Sequence, residues 1–369
     1  MFGDIYSGLP TLITGHTGFK GSWLAAWLLA LGAKITGFAN GVPTTPALSE
    51  AIGLAGRIEQ ITGDVRNRAE VAAALDSARP SIVFHLAAQA LVRESFRDPC
   101  QTFETNMLGT LNVLEACRHC PSVKAAVIIT SDKCYRNNEW VFGYRETDRL
   151  GGADPYSASK ACAEIISHSY FDSFFQNGPA CATARAGNVI GGGDWADDRI
   201  VPDCARAWAR GEPAQIRNPG ATRPWQLVLE PLSGYLWLGS LLLRPDAAIT
   251  TGYQLAGQSY NFGPPANAIY PVSEVVAALA RHWPGFKSES LANACADMPE
   301  CGLLKLCCDK ALAELKWQPT LNFEETIRYT AEWYAAFYAG HADMWSFTQG
   351  QIAAYCAAAQ NRELAWTRA

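Results

Sequence analysis

The segment Thr14-Gly15-His16-Thr17-Gly18-Phe19-Lys20-Gly21 constrains the fold of this chain more than any other. It stands between a short run of strand-forming residues, Thr11 to Thr14, and an apolar stretch, Ser22 to Leu31, closed by Gly32. Read as strand, turn and helix, the spacing GxxGxxG gives each glycine a task. The first permits a tight turn, the second lets a pyrophosphate approach the backbone, and the third lets the helix pack on the strand. The free N–H groups and the positive dipole end of that helix favour phosphate. A glycine triplet alone carries little. One that follows a first strand and opens a first helix predicts dinucleotide binding.

The next hundred residues repeat the alternation. Strands are expected at Ile35 to Ala39, Ile58 to Thr62, Ser81 to Leu86 and Ala126 to Ile129, with helices at Arg68 to Leu75 and Thr102 to Arg118. This predicts an α/β fold, a Rossmann-type doubly wound parallel sheet with right-handed crossovers. Gly and Pro become denser from Gly187 to Pro224, and the C-terminal third is more helical, so a smaller C-terminal α/β substrate domain is expected. The predicted division is a dinucleotide-binding domain at 1–184 with about 226–262, a substrate domain at about 185–225 and 263–340, and a helical tail at 341–369. With 369 residues, 49% of them hydrophobic, the chain has material for a large core.

Net charge is −5 and no block of Lys or Arg appears, which argues against nucleic acid and membrane surfaces as partners. No apolar run approaches the roughly 20 residues a bilayer requires. No basic segment followed by an apolar one opens the chain. The 12 cysteines form no regular framework, so a reduced, cytoplasmic enzyme is expected. Cys117-Arg118-His119-Cys120 is a lone CxxC with no second pair at zinc spacing, and no metal site is expected there.

Two further segments carry chemistry. Val127 to Thr130 reads as a buried parallel strand that delivers Ser131-Asp132-Lys133 beyond its carboxyl end, where ligands of α/β sheets lie. Tyr156 and Lys160 stand at i and i+4, on one face of a helix. A Lys⁺ there stabilises phenolate and lowers the tyrosine from its reference value of about 10. Such a tyrosine exchanges a proton with a sugar hydroxyl while nicotinamide is reduced. At the end of the second strand, where a ribose-binding acid is sought, stands Asn40, which leaves NAD versus NADP open. Asp64 either meets an adenine edge or caps the next helix. His85, in an apolar run, reads as packed. Arg185, Asn188, Arg199, Arg217 and Arg223 lie in Gly/Pro-rich loops. Arginine forks suit phosphate, but each can instead pair with Asp197, Asp198 or Glu230. Trp195 and Trp225 pack either on a base or sugar or in the core.

Together, TGHTGFKG (14–21), GDVR (63–66), HLAAQ (85–89), ETNMLGT (104–110), TSDK (130–133) and YSASK (156–160) resemble the extended short-chain dehydrogenase/reductase family. LGGADPYSASKACAE, ARAGNVIGGGDWADDRIVPDC and IRNPGATRPWQLVLEPLSGY narrow the resemblance to its sugar-nucleotide 4,6-dehydratases, those acting on CDP-glucose. The resemblance implies a lyase acting on CDP-glucose or a related sugar nucleotide, with NAD held through turnover. It implies Tyr156 and Lys160 at the C4 oxidation, Ser131 near the 4-oxygen, Asp132 as acid for the departing 6-hydroxyl, and Lys133 as base at C5. Related dTDP-glucose dehydratases carry a glutamate at the position of Lys133. It further implies cofactor contacts from Gly15, Thr17, Gly18, Phe19, Lys20, Asn40, Asp64, Val65, Leu86, Ala87, Ala88 and Asn106, with Asn106 supporting the catalytic lysine. Substrate contacts fall to Gln89, Asn188, Arg199, Arg217 and Arg223, and a homodimer through a helix bundle is expected. Two other readings compete. A 4-epimerase shares the glycine turn, Tyr156 and Lys160 but has no need of Asp132 and Lys133. A dinucleotide-sensing regulator dispenses with Tyr156 and Lys160.

Overall fold

The apolar runs pair as parallel strands. In a computed structural model, which describes residues 1–244, 252–283, 288–290 and 303–368, the main sheet has seven. These are β1 (Pro10–Thr14), β2 (Lys34–Ala39), β3 (Glu59–Thr62), β4 (Ile82–His85), β5 (Ala125–Ile129), β6 (Ala180–Ala186) and a last strand, Ser259–Phe262. Their spatial order is Ser259–Phe262, β6, β5, β4, β1, β2, β3, and every pair is parallel. The order reverses beside β1, so the crevice beyond the carboxyl ends of β1 and β4 is the topological switch point.

Both faces of this sheet are covered. Along β4 and β5 the side chains alternate between two cores, as a two-residue period requires. Ile82, Phe84, Ala125, Val127 and Ile129 enter the larger core. Val83, Ala126 and Ile128 enter the smaller one with Leu12 and Phe38. Cys117 and Cys120 are buried in that smaller core, and the Cys120 thiol donates to the Leu75 carbonyl at 3.7 Å.

The helices depart from expectation where glycine and polar groups intervene. Helix α1 (Phe19–Ala30) starts three residues before Ser22, because the extended Gly18 lets the chain turn helical at once. The helix expected at 102–118 is interrupted by a π-turn at Glu104–Leu108, between Pro99–Phe103 and Gly109–His119. Such turns often accompany functional sites, and this one carries Asn106. The helix Arg68–Ala78 is capped by Asn67, whose side chain accepts from the Ala69 and Glu70 N–H groups. Asp64 is therefore not its cap.

Short strand pairs build the other side of the cleft: Val189–Ile190 with Gln226–Leu227, and Thr222–Arg223 with Tyr270–Pro271. Helix Phe323–Tyr338 opens on a capping box between Asn322 and Glu325. The following helix, Met344–Asn361, lies against α1, where Gln349 Nε2 donates to the Ala26 carbonyl at 2.8 Å. One core thus runs from Trp23 and Trp27 to Trp333 and Trp366. Trp195 and Trp225 belong to it, with indole N–H groups donating to Tyr338 Oη and the Tyr270 carbonyl, so neither is a platform for a base. Among the described residues no helix is long and apolar enough to cross a membrane.

Candidate active site

The wall of the crevice at β1 is built from backbone. Gly15, at φ 74°, donates to the Phe38 carbonyl at 2.8 Å. A Cβ there would stand 2.8 Å from the Ala87 backbone, and one on Gly21 would stand 2.1 Å from the Gly15 carbonyl oxygen. Both glycines are demanded by the chain's own packing. Gly18 is not: its Cβ would meet only the Gly15 oxygen, at 3.4 Å. Bareness at that position fits a pyrophosphate laid against the turn, so the residues present fit a dinucleotide. Thr17 Oγ1 ties the turn to the Gly41 carbonyl at 2.7 Å. Phe19 lies under Gly191. Leu86 and Ala87 donate to the Thr14 carbonyl and hydroxyl, and Leu86, Ala87, Ala88 and Gln89 run half-buried along the crevice.

Asn40 and Asp64 meet at the outer edge, with Asn40 Nδ2 3.3 Å from Asp64 Oδ2. Asp64 also pairs with Arg66 at 2.6 Å, and that hydrogen-bonded guanidinium holds its carboxyl down at about 2. Val65 turns its side chain into the smaller core, and its carbonyl accepts from Asn112. His85 is packed, bonded to the Thr14 and Thr110 hydroxyls, and burial with the nearby Lys160 drives it down to about 3.

The second wall carries the acid–base groups. Strand β5 ends at Ile129, Thr130 follows, and Ser131 caps a short turn, Asp132–Cys134. Ser131 Oγ accepts from the Lys133 N–H at 3.2 Å and donates to Asp132 Oδ1 at 3.0 Å. Asp154 caps the neighbouring helix, Pro155–Phe174, with proline in its first turn. That helix presents Tyr156 and Lys160 to the same crevice, and the Ser131 hydroxyl lies near enough to the Tyr156 phenol to favour its ionised form. The strand end and the helix therefore converge. Ser131, Asp132, Tyr156 and Lys160 are all buried, and Lys133 is half-buried. Asp132 Oδ2 lies 2.9 Å from where a Gly187 Cβ would stand, so the end of β6 closes over the carboxyl.

Burial decides the protonation of these groups. It raises Asp132 above the usual carboxylate range, against the pull of Lys133, Ser131 and Lys20. It lowers Lys160 to about 8, with Glu164 and Cys134 opposing. It raises Tyr156 to about 12, outweighing Ser131 and Arg199. The lowering of Tyr156 expected from Lys160 is not found: the dryness of the site raises the phenol. Lys20, half-buried, feels Asp132, Lys160 and Asp194; burial and Arg199 bring it to about 8, so it stands with Asp132 and Lys160 as well as with the glycine turn.

Three further candidates are engaged within the chain. Asn106 does not touch Lys160, whose Nζ approaches the Ile129 carbonyl at 3.4 Å. It clamps the Gln89 backbone through two bonds of 2.9 Å and donates to Ser159 Oγ, joining the crevice segment to the helix. The Gln89 side chain is engaged with Leu91 and Thr102 and holds its own loop. Arg185, 1% exposed, is bonded to Glu164 and Tyr135, beyond the reach of a phosphate.

The other arginines remain at the cleft loops but are engaged. Arg199 pairs with Asp194 at 2.7 Å, and Arg217 with Asp198 at 2.8 Å. Arg223 Nη1 donates to the Thr222 carbonyl at 2.8 Å. Asn188 follows Gly187, with its carbonyl accepting from the Gln226 N–H. A cavity lined by Gly187, Pro224, Gln226, Pro264, Ile269 and Lys305 adjoins Asp132 across Gly187. Arg217 lies instead in a wide recess with Asp197, Asp203 and Arg206. Sequence reasoning missed Glu164. Its signal was available: a carboxylate at Lys160+4 falls on the face of that lysine.

Residues 12–234 match the family model described as GDP-mannose 4,6 dehydratase. The chain is 41% identical to a CDP-glucose 4,6-dehydratase of Salmonella typhimurium over 361 residues, 96% of this chain and 98% of that protein. Among solved structures it resembles UDP-glucose 4-epimerase of Thermotoga maritima (TM-score 0.72, 21% identity, 89% of this chain and 99% of that one). It also resembles a double mutant of the dTDP-glucose 4,6-dehydratase DesIV of Streptomyces venezuelae with NAD bound (TM-score 0.70, 20% identity, 92% and 99%). At those identities the solved structures speak to the fold.

Proposed function

The chain belongs to the GDP-mannose 4,6-dehydratase family, and from that premise we propose that it is an NAD-dependent lyase converting CDP-D-glucose to CDP-4-keto-6-deoxy-D-glucose and water. The observation that carries this reading is the convergence of Tyr156, Ser131 and Asp132 at the carboxyl edge of the sheet, with Ser131 Oγ donating to Asp132 and lying beside the Tyr156 phenol. A hydroxyl-oxidising pair alone would serve an epimerase. A buried carboxyl held toward its protonated form beside that pair serves elimination.

NAD, when bound, supplies two-electron oxidation at C4 and the matching reduction at C6. Gly15, Thr17, Gly18 and Phe19 offer backbone to its pyrophosphate, Asn40 and Asp64 face its adenosine end, and Leu86 to Ala88 line its length. Tyr156 Oη takes the 4-hydroxyl proton, with Ser131 in hydrogen-bond relay and the Lys160 ammonium stabilising the phenolate. The 4-ketone acidifies the C5 proton. Lys133 Nζ acts as the base that removes it, and Asp132 protonates the 6-oxygen as water leaves. A proton returned to C5 completes the cycle. Asn188, Arg199 and Arg223 anchor the diphosphate at the mouth. Residues 1–184 with about 226–262 serve the cofactor, and about 185–225 and 263–340 serve the sugar nucleotide; both stretches beyond 226 include residues outside the described ones. The enzyme works in the cytoplasm as a homodimer, supported by the exposed apolar side chains Leu108, Ile165 and Phe174 on its paired helices.

Purified protein incubated with NAD and a panel of sugar nucleotides tests this. CDP-glucose should lose one water and give keto-sugar absorbance in base. An isobaric product would point to epimerisation. Bound dinucleotide without turnover of any sugar nucleotide would end the enzymatic reading.

A further inference from the structure

Beneath the catalytic groups lies a polar cluster that never reaches the crevice. Glu164, fully buried, sits on the helix of Tyr156 and Lys160, two turns below the first and one below the second. Its carboxylate gathers donors from three strands. Thr130 Oγ1 bonds Oε1. On Oε2 converge Arg185 Nη2 at 2.6 Å, Thr183 Oγ1 at 2.9 Å and Ser259 Oγ at 3.2 Å. The Arg185 guanidinium reaches on to Tyr135 Oη at 2.6 Å, and that hydroxyl donates to Asn261 Oδ1 at 2.8 Å.

The order of these partners along the chain gives the cluster its meaning. Thr130 immediately precedes Ser131-Asp132-Lys133, and Tyr135 closes the turn that holds them. Both ends of the acid–base turn are therefore tied to one carboxylate, directly or through Arg185. The same carboxylate rides on the helix that carries the phenol and the ammonium. A buried ion pair is weak evidence for stability, since apolar side chains of similar volume often serve as well. A pair that locks two catalytic segments in one register has a different use.

We propose that Glu164 is a positioning residue for the reaction, fixing the helix-borne Tyr156 and Lys160 against the turn-borne Ser131, Asp132 and Lys133. The proposal rests on the dehydratase reading for its kinetics but not for its electrostatics. Burial alone would push the Glu164 carboxyl up, yet Arg185 and the two threonine hydroxyls hold it below its ordinary value, so it stays ionised. The groups facing Lys160 are Glu164 on its own helix, Cys134 on the turn, His85 at the end of β4 and Lys20 on α1. Of these, the ionised Glu164 opposes the loss of the ammonium most, ahead of Cys134.

Three variants test this. Thr130→Val keeps shape and removes only the tie to the strand end. Its kcat should fall by about 10–100-fold, as misplacement of a reacting group does, with KM for the sugar nucleotide, Kd for NAD and Tm close to wild type. Glu164→Gln, made alone and with Arg185→Met so that no buried charge is left unpaired, should lower the Lys160 titration by about one unit or more in NMR of the ¹⁵N-lysine-labelled holoenzyme. The fall in kcat as pH rises through that value should begin correspondingly earlier. Wild-type kcat in Thr130→Val, or an unmoved Lys160 titration in the double variant, overturns the proposal. If wild type dehydrates no sugar nucleotide, the function proposed above fails, while the Lys160 titration still decides the role of Glu164.

Discussion

The two sides of the crevice are made of different material. On the β1 side, recognition belongs to the backbone: Gly15 and Gly21 are locked by contacts within the chain, and Gly18 is left bare. On the loop side it belongs to long side chains, and these already have partners, Asp194 for Arg199 and Asp198 for Arg217. A backbone surface is specified by which residues lack a Cβ, and that is written in the sequence. A surface of arginines and carboxylates depends on which partner each chooses in space. The first kind of site is legible before folding and the second is not.

The sharpest test lies where the two sides meet. Tyr156→Phe removes the proton acceptor without altering either wall. Turnover should fall about 10²–10⁴-fold, the usual contribution of a positioned acid–base group, with NAD and substrate affinities nearly unchanged. A variant that keeps activity would move the chemistry to another group, and Lys20, drawn down to about 8 in the same crevice, would be the first to examine.

A second pair of variants separates the glycines of the backbone wall. Gly21→Ala drives a Cβ to 2.1 Å from a carbonyl oxygen and should cost at least about 1–3 kcal/mol of stability. Gly18→Ala, at φ −75° and ψ 166°, is sterically free and should melt with wild type. Its NAD affinity should nonetheless fall roughly tenfold or more, because the methyl group occupies the pyrophosphate approach. Equal effects on Tm and on NAD binding in the two variants would break the distinction between packing glycines and ligand glycines.

The same contrast explains what the sequence disclosed. The parallel sheet, the glycine turn and the delivery of Ser131-Asp132-Lys133 beyond β5 followed from period and spacing. Asn106 and Gln89 have, within the chain, tasks that spacing does not show: one clamps a backbone segment and the other holds a loop. Spacing shows which side chains share a face; it is silent on which amide satisfies a neighbouring chain. Arg185, in a stretch that read as a phosphate loop, is instead the last-but-one residue of a core strand, and its charge is answered by Glu164. The partner lies 21 residues away in sequence, too far for helical or strand periodicity to join them. Trp195 and Trp225 fell to the core for the usual reason, large apolar area.

On the loop side, engagement in pairs sets the next effect. Arg223 directly precedes Pro224, which lines the cavity beside Asp132, whereas Arg217 belongs to the open recess. Arg223→Ala should raise KM for the sugar nucleotide about tenfold, in line with loss of a hydrogen bond to a charged group. Arg217→Ala should change it by no more than about twofold, since the pair it breaks is partly exposed. The reverse ranking would relocate the diphosphate to the recess.

The smallest effect probes the one part of the backbone wall that depends on a side-chain pair. Asp64 is held at about 2 chiefly by its hydrogen bonds to Arg66, below the unfolded value of about 3.9. A folded value below the unfolded one adds stability above about pH 4, and that stability is lost as pH falls toward 2. With 23% of the Asp64 side chain and 36% of the Arg66 side chain exposed, solvent screens the pair, so its worth is under about 1 kcal/mol. Asp64→Asn should therefore be slightly less stable than wild type in urea at pH 7, with the difference shrinking as the buffer is taken below pH 4 and when salt is raised. Its NAD affinity should drop by only about two- to threefold, because the carboxylate already has a cation. A loss as large as that of Gly18→Ala would mean that Asp64 leaves Arg66 for the adenosine, and that the backbone wall is less self-sufficient than its glycines suggest.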